Sequence, residues 1–255
     1  NDTAMYKAFA LSGSIGAGES YILGQWQCDN LTRLIEIFAI NQDQLDAFEK
    51  KFAFFSNIAH RINHIKNKNS HSGSKKNIVA HYDLGNDLYE SFLSKEMLYS
   101  SAVYPSKDAT LEQAELGLEN KITLLKQDYR LLTGKYDKLV SIEMIEAVGH
   151  EYLPSFFTQC GQLLKDDGAM LIQAITISDQ RYQHYLKNSD FIQQYIFPGG
   201  CLPSLNEMSE QIKNHTDMNI HTVSDIGAHY ARTLADWRDR FIASWPNLDS
   251  NKFDE

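Results

Sequence analysis

An α/β layer built around a mostly parallel sheet, preceded by a small helical region, is the fold this sequence predicts. Three observations carry it. Short runs rich in β-branched residues, "KITLLKQ" (121–127), "KYDKLVSI" (135–142) and "AMLIQAITI" (169–177), read as strands. The segment "LPSFFTQCGQLL" (153–164) lies between the last two with helical spacing, and strands that alternate with helices imply crossover connections. Before residue 70 the period is helical instead.

Each element has its local reasons. "LTRLIEIFAIN" (31–41) reads as one helix and "QLDAFEKKFAFFSNIAHRINHIKNK" (44–68) as a longer one. In the second, Leu45, Phe48, Phe52, Phe55, Ile58, Ile62 and Ile65 recur at steps of three or four, which gathers them on one face. That face fits an ordinary core-facing helix, or a basic amphipathic helix lying on an anionic membrane surface. "KNKNSHSGSKK" (66–76) is polar and rich in glycine and serine, and marks an exposed linker. It divides an N-terminal helical, basic domain (1–76) from a second domain (77–255). "KDDGAM" supplies a turn before the strand at 169, and "FPGG" (197–200) reads as a structural turn. "GSIGAG" (13–18) looks superficially like a phosphate loop, but it follows no strand and lacks the Gly-Lys-Ser/Thr ending, so it reads as a turn. Ligands of parallel sheets bind beyond the carboxyl ends of the strands. Two acidic clusters fall there: "DYR" (128–130), and Glu143 with Glu146 in "SIEMIEAVG".

The bulk composition narrows the function classes. With 255 residues the chain buries a sizeable core, and no apolar run approaches the roughly 20 residues that span a bilayer. Cys28, Cys160 and Cys201 are odd in number and far apart, so neither a disulfide framework nor a CxxC site is expected, and a reducing, cytoplasmic setting fits. A net charge of −9 argues against nucleic acid as a partner. The charge is unevenly spread. From Lys50 to Tyr82 there is no acid, while Lys50, Lys51, Arg61, Lys66, Lys68, Lys75 and Lys76 are basic. The remainder carries 17 basic against 33 acidic residues. His60 and His64 have the i,i+4 spacing of metal ligands, but without an acidic neighbour a solvated basic face is favoured and no metal is expected.

Eight stretches in order resemble the cyclopropane-fatty-acyl-phospholipid synthase family, S-adenosylmethionine-dependent enzymes that include the mycolic acid cyclopropane synthases. They are "GSIGAGESYILGQWQCDNL" (13–31), "HYDLGNDLYESFL" (81–93), "MLYSSAVY" (97–104), "TLEQAE" (110–115), "DYR", "YDKLVSIEMIEAVG" (136–149), "YIFPGGCLPS" (195–204) and "HYARTLADW" (229–237). The resemblance implies a Rossmann-like class I methyltransferase sheet for residues 77–255. It also implies something absent. In the family the "TLEQA" helix leads to a strand, a glycine-rich cofactor loop, a second strand and a helix before a segment like "LGLENKITLLKQDYR". Here "TLEQAE" runs straight into "LGLENK". A βαβα-sized piece, with the first strand and the cofactor loop, is therefore expected between Glu115 and Leu116 of the natural polypeptide. Further residues are expected before Asn1 and after Glu255.

The activity implied is transfer of a methyl group from S-adenosylmethionine to the cis double bond of an unsaturated phospholipid acyl chain. The resulting carbocation loses a proton from the new methyl to a bound bicarbonate, and the ring closes. Matched residue by residue, Glu146 and Tyr230 hold the bicarbonate and Ile175 offers it a backbone contact. Tyr99 and Ser100 match cofactor contacts, Tyr129 and Arg130 the turn beside adenine, with Asp128 added as an acid at a strand end. Two positions depart from the pattern: the usual cysteine is Ser101 and the usual histidine is Gln173. Both still hydrogen-bond, but glutamine carries no proton. A methyl- or methylene-branched chain is therefore the alternative product, and a non-catalytic lipid-binding relative or a small-molecule methyltransferase are alternative functions. On residues alone Glu143 and Glu146 read as an acidic pair at a helix N-terminus, and Tyr230 as a packing tyrosine with a satisfied hydroxyl. The family implies a homodimer, peripheral at the inner membrane surface.

Overall fold

The computed structural model describes residues 3–42, 44–45, 85–95, 97–102, 125, 127–249 and 253. Most of the expected helix over 44–68, the linker at 66–76, His60 and His64, the Glu115–Leu116 junction and most of the expected strand at 121–127 lie outside them. The chain forms two compact units. One comprises Asn1–His81, Glu146–Glu151 and Thr176–Leu205; the other comprises Tyr82–Ile145, Tyr152–Ile175 and Asn206–Glu255.

In the first unit, α1 (Ala4–Ile22) contains the segment read as a turn. That expectation is corrected: "GSIGAG" is helical on either side of a kink at Gly13, whose φ of 51° and ψ of −131° lie outside helical values. Glycine serves helix packing here rather than a loop. A Cβ on Gly16 would fall 2.1 Å from the Ala8 carbonyl oxygen, and one on Gly18 would fall 2.4 Å from the Phe191 ring. Ser20, buried, donates to the Gly16 carbonyl at 2.6 Å and accepts from Trp26 Nε1 at 3.0 Å, so the indole closes the end of α1. The predicted helix at 31–41 is α2 (Leu31–Ile40), capped by the Asn30 side chain accepting from Arg33 N–H at 2.9 Å.

The second unit holds the sheet. Strand β1 (Tyr136–Ile142) pairs in parallel with β2 (Leu164–Gln173), as the alternation of strand, helix and strand predicts. Between them in sequence runs α4 (Leu153–Leu163), numbered after the short α3 (Asn86–Glu90). Leu153, Phe156, Phe157, Cys160 and Leu163 form its buried face at steps of three and four. Pro154 sits in its first turn, where a missing N–H costs nothing. The turn expected at "KDDGAM" is an irregularity inside β2 rather than its start. Tyr136 pairs with Leu164 and Lys138 already with Ala169, so Lys165–Gly168 is looped out. A Cβ on Gly168 would meet the Lys165 carbonyl oxygen at 2.9 Å, which is why the tight loop carries glycine. β2 also ends at Gln173, four residues before the expected limit.

Three further α-helices follow in sequence: α5 (Asp179–Tyr185) in the first unit, then α6 (Leu205–His215) and α7 (Gly227–Ser244). Trp237 of α7 is buried with Tyr89 and Leu93, and Phe92, Met97, Tyr99 and Ala102 pack around them. This aromatic cluster fixes the segment that leads to Ser101.

Candidate functional site

Three chain segments meet at the carboxyl ends of β1 and β2. Glu143 follows β1 directly and takes φ of 46°, a left-handed value uncommon for a residue with a Cβ. A network of hydrogen bonds holds it. Its N–H donates to the Gln173 carbonyl at 2.8 Å, prolonging the parallel pairing by one residue. Its Oε1 accepts from the Ser101 N–H at 2.8 Å and from Gln173 Nε2 at 3.0 Å. Gln173 Nε2 also donates to the Ser101 carbonyl at 3.0 Å. The amide orientation follows from these acceptors, because the opposite one would turn its oxygen toward a carboxylate and a carbonyl. Ser101 is buried, 7% exposed.

The same segment is fastened to α7. Thr233, fully buried, accepts the Ala102 N–H at 3.2 Å and donates to the His229 carbonyl at 2.9 Å. Tyr230 lies in the first turn of that helix, half-buried. Tyr99 stacks at 5.2 Å from Trp237 and 5.7 Å from Tyr89, centroid to centroid. Ser100 bridges Tyr99 and Ser101 in sequence, and Ile175 comes two residues after β2.

Asp128, Tyr129 and Arg130 form a short 3-10 turn before β1. Asp128 Oδ1 accepts from Arg130 N–H at 3.0 Å and from Arg130 Nε at 2.9 Å, while Oδ2 takes the other guanidinium arm at 2.6 Å. This bidentate bond raises the Arg130 pKa above its ordinary value, so its charge is permanent and directed at Asp128. The Tyr129 ring meets Phe156 at 5.6 Å, and its burial pushes the phenol pKa up. Gln159 of α4 donates to the Tyr129 and Leu132 carbonyls at 3.2 and 2.8 Å and holds the turn against the helix.

Of the residues singled out in the sequence, the structure brings Ser101 and Gln173 into direct contact and ties the Tyr230 helix to Ala102. It gathers Asp128, Tyr129 and Arg130 into one turn. Glu146 belongs to the first unit, in the 3-10 turn Ile145–Ala147, where its carbonyl accepts the Cys201 N–H at 2.8 Å. Two members of the network were not in the expected set: Glu143, visible only as half of an acidic pair, and Thr233, which carries no sequence signal. Among the described residues no three His, Cys, Asp or Glu side chains are placed to hold a metal ion. No described helix is long and apolar enough to cross a membrane.

Comparison with known proteins adds the context for this geometry. The family model described as mycolic acid cyclopropane synthetase matches residues 69–117 and 114–255. The chain is 29% identical to the tuberculostearic acid methyltransferase UfaA1 of Mycobacterium tuberculosis, over 99% of this chain and 74% of that protein. It is 28% identical to the cyclopropane-fatty-acyl-phospholipid synthase of Escherichia coli, over 96% and 76%. Among solved structures, mycolic acid cyclopropane synthase CmaA1 complexed with SAH and CTAB superposes with a TM-score of 0.57 at 25% identity, covering 66% of this chain and 83% of that one. The parallel sheet is thus that of the Rossmann-like, class I methyltransferase fold. The two family-model matches meet at 114–117, where the motif order leaves a gap. The alignment with UfaA1 runs over 318 positions against 255 residues here, so the relative carries residues inside the matched region that this chain lacks.

Proposed function

From a chain that belongs to the mycolic acid cyclopropane synthetase family, whose members are S-adenosylmethionine-dependent methyltransferases, we propose an enzyme that methylates the cis double bond of an unsaturated phospholipid acyl chain. The observation that carries the reading is the Gln173–Ser101 contact at the strand ends. It puts in one place the two positions at which the family's pattern and this sequence diverge. S-adenosylmethionine is the co-substrate and supplies an electrophilic methyl. An alkene is a poor nucleophile, so the protein's contribution is to orient the two and exclude water. Tyr99, Ser100 and the Asp128–Arg130 turn are the residues of this chain assigned to the donor. Glu146, Tyr230 and Ile175 are assigned to the acyl side, where the cation forms and a base removes a proton from the new methyl.

The base of the family scheme is bicarbonate, and its fit to this chain can be tested on the hydrogen bonds. Ser101 N–H and Gln173 Nε2 already donate to Glu143 Oε1. The donors of an anion cradle are thus engaged by a carboxylate of the chain itself, and no step is assigned here to the inorganic ion. Closure to a cyclopropane is the proposed outcome. A methyl- or methylene-branched chain is the second reading, favoured by Gln173 in place of histidine and by the similarity to a tuberculostearic acid methyltransferase. The lipid partner is a phospholipid surface, with the basic Lys50–Lys76 stretch proposed to meet anionic head groups and the protein acting peripherally as a homodimer. Incubating the protein with unsaturated phospholipid vesicles and methyl-labelled S-adenosylmethionine tests the reading. Label in the acyl chain is expected, with mass spectrometry separating a ring from a branch. Cofactor binding without lipid labelling would remove it.

A further inference from the structure

The proton that leaves the new methyl needs an acceptor, and the strand-end network contains one carboxylate. Glu143 is held on one side only. Oε1 takes the Ser101 N–H and the Gln173 amide, whereas Oε2 receives no hydrogen bond from any described residue. The backbone is held in a left-handed conformation to present it, φ 46°, with its N–H on the Gln173 carbonyl. Such strain persists where the surroundings over-determine it, and it marks functional positions. Gln173 cannot replace histidine as a proton carrier, but the group it grips can. An added bicarbonate would compete with Glu143 for the same donors while facing its negative charge, and like charges at close range disfavour one another.

Building on the lipid-methylation reading, we infer that the Glu143 carboxylate takes the place of the inorganic anion and is itself the base of the reaction. The alkene π pair forms the new C–C bond to the sulfonium methyl, and the C–S pair leaves on sulfur. Glu143 Oε2 then takes a proton from the transferred methyl. The C–H pair closes the ring or, after a hydride shift along the chain has moved the cation to the methyl-bearing carbon, forms the C=C of a methylene branch. Glu143, now neutral, returns its proton to water. Ser101 and Gln173 are positioning residues that keep Oε1 turned away and Oε2 forward.

The test uses the full natural enzyme with labelled S-adenosylmethionine and unsaturated phospholipid vesicles in carbonate-depleted buffer. Wild-type turnover is expected to be unchanged when bicarbonate is restored. Glu143→Gln keeps the Oε1 acceptor and the shape, and is expected to lose on the order of 100-fold or more in turnover, the usual contribution of a positioned base. Glu143→Ala frees both donors and is expected to regain turnover on addition of bicarbonate. Line broadening of carbon-13 bicarbonate gives a readout independent of turnover: binding to Glu143→Ala and none to wild type is expected. Bicarbonate binding to wild type, a wild-type rate that depends on it, or a Glu143→Gln enzyme within a few-fold of wild type would overturn the inference. If no variant labels lipid, the broader functional reading fails, and the anion-binding comparison still decides whether Glu143 holds the anion's place.

Discussion

Replacing Thr233 by valine isolates the bond that fixes the site segment to α7. Valine preserves the volume of a side chain that is 0% exposed but removes its oxygen. The His229 carbonyl lies within the helix and loses little. The Ala102 N–H, bonded to Thr233 Oγ1 at 3.2 Å, loses its acceptor one residue from Ser101. Leaving a donor of this kind unmet costs about 1–3 kcal/mol, more than the net value of about 0.5–1.5 kcal/mol of an ordinary hydrogen bond. Thr233→Val should therefore destabilise the second unit by about 1–3 kcal/mol, while Thr233→Ser, which keeps the oxygen, should lose less. Urea unfolding followed by tryptophan fluorescence reports on this region, because Trp237 is buried one helical turn further along the same helix. The midpoint should fall with an unchanged slope. A valine variant as stable as wild type, or a serine variant as damaged as valine, would refute the claim that this bond secures the segment.

Other expectations follow from separate parts of the molecule. Cys160, buried on α4, has its thiol pushed up to about 12 from an ordinary 9.0. It should resist alkylation at pH 8 in the native protein and react once unfolded; equal reactivity in both states would contradict its packing. Because the unfolded thiol ionises at about pH 9 and the folded one only near 12, this group's contribution to stability is full below pH 9 and is lost as pH rises through that window. Glu146→Gln should abolish lipid methylation with S-adenosylmethionine affinity nearly intact, and equilibrium binding of the cofactor checks it; equal loss of both would reassign the residue. Protein purified from its natural source should have an intact mass above the 29.1 kDa of the 255 residues, since the relatives carry residues that this chain lacks between its two matched parts.

Legibility in the sequence followed the strength of the local signal. β1, α4 and α2 were readable because β-branched runs and three-four spacing act within one element. The start of β2 was not, because its irregularity depends on pairing with Tyr136 and Lys138 rather than on "KDDG" itself. "GSIGAG" misled because glycine marks both loops and close helix packing, and only the neighbours Ala8 and Phe191 tell them apart. Helix α1 is hard to read because small residues such as Gly13, Gly16, Ala17 and Gly18 weaken its period. At the site, the family motifs point to Ser101, Gln173 and Tyr230; Glu143 is legible only as half of an acidic pair at a strand end, and its bonds to Ser101 and Gln173 are a tertiary property that no spacing encodes.

The proposed lipid methylation is tested most directly by transfer of labelled methyl from S-adenosylmethionine to phospholipid vesicles. Label is expected covalently in the acyl chain of unsaturated phospholipid and none in a saturated one. Label absent from both, or present equally in both, would contradict it.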